Sequence, residues 1–581
     1  MIRRVLIYGA LLIGALIFAW PFFWMASVSA KLDREMFGQN RMLPERPIPR
    51  VQSPYVDDRL YDGVTGPRMD DALPIIEQHL QSIQIAWPTD VDRAALVRHT
   101  ARGIYKRLLN VLPASVWQQT GEQLTAAVRE NMRPALVAEI VQELRRVFCV
   151  GQLRARSLDL QEDVLVPANS VANTWLVEAG AAHLVQGGTA EEPFGELIYD
   201  FTRGDVVRLT QTFTTSFPVD RLYRLQMSLR YDNTWHAVRM YVEKNGVRYR
   251  AVRDLESSDY NWVLNTWQER GPDDRLTKIR TWTLLDPERP GSTGPAAMSS
   301  RAERSGVEES GGETRKAAPR DVSTSLDMTP RANQLTVTLE LRRVNQFEAW
   351  WSKIRRNYRL TLDHIPFWRY VGTSLFLVIL NLVGTLLSCS LVAYAFARLQ
   401  WPGREVCFAL LLATMMLPVQ VTMIPQFLIM QKLGWYNTLQ PLWIASFVAP
   451  AFYVFLLRQF LKGIPRDLED AARLDGCGFL RIYWHIMLPL VKPTLAAIAI
   501  FTFLGSWNEF MGPLIYVNDS RLYPLSFGLY AFQVQVADPG TSKGMGMLMA
   551  ASLMMMLPVI AIFFFAQRYF LRGVTLTGMK G

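Results

Sequence analysis

Six stretches of the chain are apolar over roughly the 20 residues that a helix needs to cross a hydrocarbon core about 30 Å thick. They are Val5–Met25, Val371–Ala397, Val406–Met423, Pro441–Leu457, Leu488–Leu504 and Met547–Phe565. Pro21, Pro418, Pro450 and Pro558 interrupt them, which a span tolerates when neighbouring groups satisfy the freed carbonyls. The pattern predicts an α-helical membrane bundle of six transmembrane helices. The first stretch also has features of a secretory leader, with Arg3 and Arg4 before it and Val28-Ser29-Ala30 after it as a small-residue cleavage site. Its apolar run exceeds the roughly 7 to 15 residues of a leader core, and Trp20, Phe22, Phe23 and Trp24 form an interfacial belt at its far end. Residues 1–30 are therefore expected to remain as an uncleaved first transmembrane helix.

Residues 31–365 follow different periods. Leu136, Ile140, Leu144 and Val147 recur at helical spacing, and Arg93–Leu112 and Ser115–Glu130 also read as helices, so 31–148 is expected to be a helical subdomain. From Cys149 the period becomes two. Tyr223, Leu225, Met227, Leu229 and Tyr231 alternate with polar residues as a half-buried strand requires. Val238–Val242 and Val247–Ala251 flank Asn245-Gly246, whose tolerance of positive φ predicts a tight hairpin. Asp286–Pro330 contains no aromatic residue and is rich in Ser, Gly, Pro and charge. It cannot bury enough apolar surface to offset ordering, so a disordered insertion is expected at 286–330. Strand alternation resumes at Leu335–Leu341. The expected fold is a large extracytoplasmic α+β domain in which 149–344 is β-rich and contains an antiparallel β-sandwich. Trp235, Tyr260 and Trp262 are candidates for stacking on sugar rings, although core or rim packing is the commoner role of strand aromatics. Residues 345–370, which mix Phe347, Trp350 and Trp351 with Lys353, Arg355 and Arg356, read as an interfacial connector helix.

Charge fixes the orientation. The whole chain carries a net +10, yet residues 1–30 and 366–581 hold 17 basic and 8 acidic residues, leaving 45 and 44 for 31–365. An excess confined to the apolar ends argues against nucleic-acid binding and for basic residues that set membrane topology. With the N-terminus inside, thirteen Lys and Arg residues fall on the cytoplasmic side, while the short outer loops hold Lys432, Arg521 and Lys543. Both termini are then cytoplasmic and 31–365 is outside. Cys149 is the lone cysteine of that external segment, which excludes an internal disulfide scaffold. The six histidines lack metal-ligand spacing, and no G-x-x-x-x-G-K-[ST] occurs, so no cofactor and no nucleotide hydrolysis are expected in this chain.

The loop at 463–489 carries the most chemistry. Pro465 suits a first helical turn, and Asp467, Glu469 and Asp470 lie near the positive end of that helix. Ala471 and Ala472 leave a narrow face, and Gly476 and Gly478 can end the helix with a left-handed residue. A short helix-turn-helix results, with an acidic, small-residue face for a partner. Asn508 and Glu509, near the outer end of the fifth stretch, are candidates for a substrate path or for a simple helix cap.

This loop resembles the EAA motif of permease subunits in bacterial ATP-binding-cassette importers, and most closely the sugar-importer branch that includes the maltose-type permeases. The family's Glu-Ala-Ala, Gly and Ile-x-Leu-Pro fall on Asp470-Ala471-Ala472, Gly476 and Ile486-Met487-Leu488-Pro489. Asp470 stands where Glu is usual, with Glu469 before it, and Cys477 replaces a small residue. Leu391–Arg398, Trp507-Asn508-Glu509-Phe510 and the Gln567–Gly581 tail are similar to the same branch, so the resemblance covers about Phe367–Gly581 and not the external segment. It implies a type I importer permease in the bacterial inner membrane, with a five-helix core at 371–581. It further implies two ATPase subunits that bind ATP and Mg, a second permease subunit and an extracytoplasmic solute-binding protein. Glu469 and Asp470 would contact basic ATPase residues, Ala471 and Ala472 would permit close packing, Gly476 would set the bend, and Leu488 and Pro489 would close the motif. A carbohydrate or similar polar solute is the expected cargo. The alternative is an envelope sensor or scaffold whose external domain is the functional part; it would purify without ATPase subunits.

Overall fold

The computed structural model describes residues 2–32, 35–36, 42–118, 121–157, 164–165, 175–188, 192–258, 260–269, 283–288, 333–536 and 544–575. The chain forms two units, Met1–Glu45 with Lys353–Gly581, and Arg46–Ser352. Among the described residues of the first unit, four helices are long and apolar enough to cross a membrane: Ile7–Ser29, Phe367–Arg398, Pro441–Lys462 and Met545–Phe565. Phe479–Leu490 and Lys492–Trp507 make a fifth if the pair, bent by 77°, is one span.

The third stretch, which Pro418 is expected to interrupt without ending the span, forms two helices, Arg404–Thr414 and Val419–Lys432. Pro418 supplies no amide hydrogen and pushes Leu417 out of the helical region, so the apolar run is continuous in sequence but not in hydrogen bonding. Pro441–Lys462 is also interrupted. A 3-10 turn at Ala445–Val448 leads to Ala449 at φ 53°, and Ala451–Lys462 then resumes the helix.

Several polar side chains tie this unit together. On the Gln346–His364 helix, Lys353, Asn357 and Thr361 are buried at four-residue spacing, and the aromatic Phe347 and Trp351 point out. Lys353 pairs with Glu35, both side chains 2% exposed. The Asn357 amide donates to the carbonyls of Ser29 and Lys31, each at 2.8 Å, and Thr361 Oγ1 donates to the Met547 carbonyl at 3.0 Å. Ser29 Oγ lies 2.9 Å from Tyr358 Oη, so Val28, Ser29 and Ala30 are buried.

Among its described residues the second unit has two apolar cores. The first lies among Met69–Ser82, Arg93–Val111, Glu122–Asn131 and Pro134–Leu144, where Ile76, Leu80, Ile104, Leu108, Ile140 and Leu144 are almost wholly buried. Gly103 permits the close crossing of Arg93–Val111 and Pro134–Leu144, because a Cβ there would lie 2.7 Å from Ile140 and 2.6 Å from Tyr61. The Met69–Ser82 helix is absent from the sequence expectations; the Ala72, Ile76, Leu80 repeat that marks it is interrupted by Pro74.

The second core belongs to a sheet that has 14 strands among the described residues. Phe148–Ser157, Leu222–Arg230 and Trp262–Glu269 form one antiparallel run, and Ala237–Lys244, Gln334–Arg342 and Val206–Thr214 form another. Val247–Ala251 and Thr283–Pro287 connect them. Leu225, Met227 and Leu229 from the first run share one core with Val238, Met240, Val337 and Leu339 from the second. The hairpin closes on Asn245 at φ 50° and Gly246 at φ 73°, with Lys244 opposite Val247, as the sequence predicts. One pairing, Trp262–Glu269 with Thr283–Pro287, is parallel, so the sheet is not purely antiparallel. Alternation reports which face is buried and is silent on a partner's direction. Asp286 and Pro287, expected in the disordered insertion, belong to this strand, and 289–330 lie outside the described residues.

A buried polar group completes this unit. Asp232 accepts hydrogen bonds from Tyr199 at 2.6 Å, Thr234 at 2.7 Å and Ser257 at 2.6 Å. His236 Nε2 donates to the Arg50 carbonyl at 2.7 Å, and its Nδ1 accepts from the Val344 amide at 3.3 Å. The two bonds together select the neutral tautomer, and burial lowers the His236 pKa below its ordinary value of 6.5.

Candidate functional site

The loop at 463–489 folds as an elbow. Asp467–Leu474 is helical, and Gly476 at φ 77° ends it. The Gly476 amide bonds to the Arg473 carbonyl at 3.0 Å and the Cys477 amide to the Ala472 carbonyl at 2.9 Å, the paired closure of a Schellman motif. Phe479–Ile482 then starts a second helix that widens to a π turn at Tyr483–Met487 before Leu488–Leu490. Pro489 cannot donate to the carbonyl four residues back and its ring crowds that group, so the wider turn relieves the clash. The 77° bend follows.

The elbow packs through Ala472, Ile482, Tyr483 and Met487 onto Tyr394, Ala397, Leu457 and Leu461. Tyr483 Oη lies 2.7 Å from Ser390 Oγ. The two expected acidic contacts separate here. Asp470 is exposed, but Glu469 is 4% exposed and faces Arg398, with Oε1 3.1 Å from Nε. That approach is an ion pair without hydrogen-bond alignment. Glu469 therefore does not offer its carboxylate outward as expected, because it lies three residues before the buried Ala472, on the face of the helix turned to the bundle. Of the remaining expected residues, Ala471, Gly476 and Pro489 are exposed, Leu488 is half-buried and Ala472 is buried.

The outward face is more apolar than the sequence reading held. Leu474 is 90% exposed, Leu480 76%, Phe479 60% and Trp484 54%. Their spacing about Gly476 places them on both arms of the elbow. They were legible as apolar residues in a charged loop but could not be assigned to the outside without the position of Arg398.

The other candidates fall elsewhere. Asn508 donates to the Leu504 carbonyl at 2.9 Å and ends the Lys492–Trp507 helix, and Glu509 Oε1 accepts from the Gly512 amide at 2.8 Å. Both are exposed, and each makes a hydrogen bond at a helix end. Sequence reasoning missed Asn381, whose amide donates to Ser506 Oγ at 2.9 Å and whose oxygen accepts from Ser446 on the interrupted helix. A polar residue midway along an apolar helix is the signal that marks it. Among the proposed sugar-stacking aromatics, Trp235 is buried, Tyr260 donates to the Arg145 carbonyl under Arg146, and Trp262 remains exposed.

Long apolar helices and a braced, outwardly apolar elbow are the features of a helical membrane protein with an exposed docking loop. The family described as binding-protein-dependent transport system inner membrane component matches residues 388–576. The arabinooligosaccharides transport system permease protein AraQ of Halalkalibacterium halodurans is 38% identical over 230 residues, covering 38% of this chain and 80% of that protein. The sn-glycerol-3-phosphate transport system permease protein UgpE of Yersinia enterocolitica is 31% identical over 209 residues, covering 36% of this chain and 73% of that protein. A bacterial ABC transporter involved in the import of the acidic polysaccharide alginate is 27% identical over 37% of this chain and 79% of that one, with a TM-score of 0.34. The chain belongs to this family of ABC importer permeases.

Proposed function

We propose that this chain is the transmembrane permease subunit of an ATP-driven importer for a carbohydrate or similar polar solute, coupled to separate ATPase subunits through the elbow at 463–489. The observation that carries the reading is the outward set of Leu474, Phe479, Leu480 and Trp484 beside Asp470, on the two arms of an elbow anchored from within. Large apolar side chains clustered on a solvent-facing loop mark an interaction site, and a groove on a partner ATPase would cover them. Asp470 would make the charge-assisted contact with that partner, Ala471 would allow close approach, and Gly476 would set the angle between the arms. Ala472, Leu488 and Pro489 would hold the second arm to the bundle. ATP and Mg would be bound in the ATPase, and a second permease subunit would complete the pathway. Asn508 and Glu509 would shape the outer end of the solute path through their caps.

In this reading six segments cross the inner membrane, with the third broken at Pro418 and the fifth bent at Val491. Both termini are cytoplasmic, and 31–365, with a sandwich-like β domain, lies outside, where an extracytoplasmic solute-binding protein docks. The names of the similar permeases support a saccharide or other hydroxylated cargo. The test is isolation of the full chain from native membranes in mild detergent. ATPase subunits and a second permease should accompany the wild type, and L474E/L480E should enter the membrane normally but lose the ATPase. A wild-type chain that arrives alone would leave the sensor or scaffold reading in its place.

A further inference from the structure

Arg398 closes the Phe367–Arg398 helix with its side chain 3% exposed. Its Nη2 donates to the Ile464 carbonyl at 2.7 Å and to the Leu461 carbonyl, and its Nε faces Glu469. One guanidinium thus joins three segments: the end of its own helix, the end of Ala451–Lys462, and the first arm of the elbow. Leu461 belongs to the last turn of its helix, where free carbonyls attract a cation. The pair with Glu469 is almost wholly dry, and a buried charge that loses its partner is strongly disfavoured. A surface pair would be exchangeable; this one is not. The contrast is Arg473, 45% exposed, which reaches Glu469 and Asp470 only at 3.6 Å.

We propose that Arg398 is a positioning residue that keys the elbow to the ends of these two helices through Glu469, so that the three move as one body when a partner pulls on the elbow. Lys cannot replace it, because a point charge lacks the planar fork needed to meet two carbonyls and a carboxylate at once. The consequence for force transmission rests on the coupling role proposed above. The mechanical key itself does not.

Two measurements keep these apart. In the full chain alone, in detergent, amide hydrogen exchange over 467–475 should quicken by about tenfold in E469Q and in R398K, as loss of a charge-assisted contact implies. R398Q/E469Q should be no faster than R398Q, and D470N should match the wild type. Unchanged exchange in E469Q, or additive effects in the double variant, would overturn the key. In the complex with its ATPase, trapping with ATP and vanadate should alter exchange at 389–398 in the wild type. The E469Q complex should still assemble and hydrolyse ATP, yet leave 389–398 unaltered. A vanadate response in E469Q equal to the wild type would refute the transmission role, whereas absence of ATPase from the wild-type preparation would count against the proposed function and leave the exchange result standing.

Discussion

Replacing Gly476 separates two accounts of the elbow. A Cβ added there meets nothing within 4 Å, so a larger side chain is not excluded by space. The obstacle is backbone conformation, since φ is 77° and an L residue in the left-handed region costs roughly 1–2 kcal/mol. Asn is tolerated there better than Ala, and β-branched Val least. The helix that depends on this closure is only eight residues long and borrows its two capping bonds from the Gly476 and Cys477 amides. A loss of 1–2 kcal/mol corresponds to roughly a 5- to 30-fold change in a local opening equilibrium. Hydrogen exchange of 467–478 in the purified chain should therefore quicken in the order Gly476→Asn, Gly476→Ala, Gly476→Val, with helix Lys492–Trp507 unaffected. If Asn and Val quicken it equally, or neither does, the left-handed closure is not what holds the bend.

Two further predictions concern the Arg46–Ser352 unit. Burial lowers the His236 pKa, so this side chain stays neutral in the folded chain at a pH where, in the unfolded chain, it already binds a proton at its ordinary value of 6.5. Stability should hold above that value and fall as pH drops through it toward the lowered folded pKa. A His236→Gln variant should flatten the acid limb of a thermal-midpoint profile, and an unchanged slope would dismiss the histidine as its source. Gly103→Ala should lower the urea midpoint of this unit, because the methyl would press into Tyr61 and Ile140 at 2.6 and 2.7 Å. Overpacking of that kind costs about 1–3 kcal/mol, against a gain of roughly 0.5–1 kcal/mol from better helix propensity; a rise in the midpoint would show that the crossing has slack.

Local signals survived into the fold. The Asn245-Gly246 turn, the alternation over Leu222–Arg230 and the Gly476 stop each depend on a few adjacent residues. What escaped depends on distant partners. Glu469 and Asp470 are chemically alike and adjacent, and only Arg398, far earlier in the chain, decides which turns inward. The parallel pairing of Thr283–Pro287 is likewise set by a strand reached across a long connection. Hydropathy measured the third apolar run correctly and could not weigh Pro418 within it.

The first helix is exposed along most of its described length, and its end and the residues just after it are held by Asn357, which donates to Ser29 and Lys31, and by Lys353, which pairs with Glu35. A Cβ on Gly546 would lie 2.4 Å from the Asn357 amide nitrogen and 3.1 Å from the Lys31 carbonyl. Two helices far along the chain thus close on the end of the first. Substitutions at Asn357 and at Gly546 would therefore loosen the same clasp, although the two positions belong to different helices.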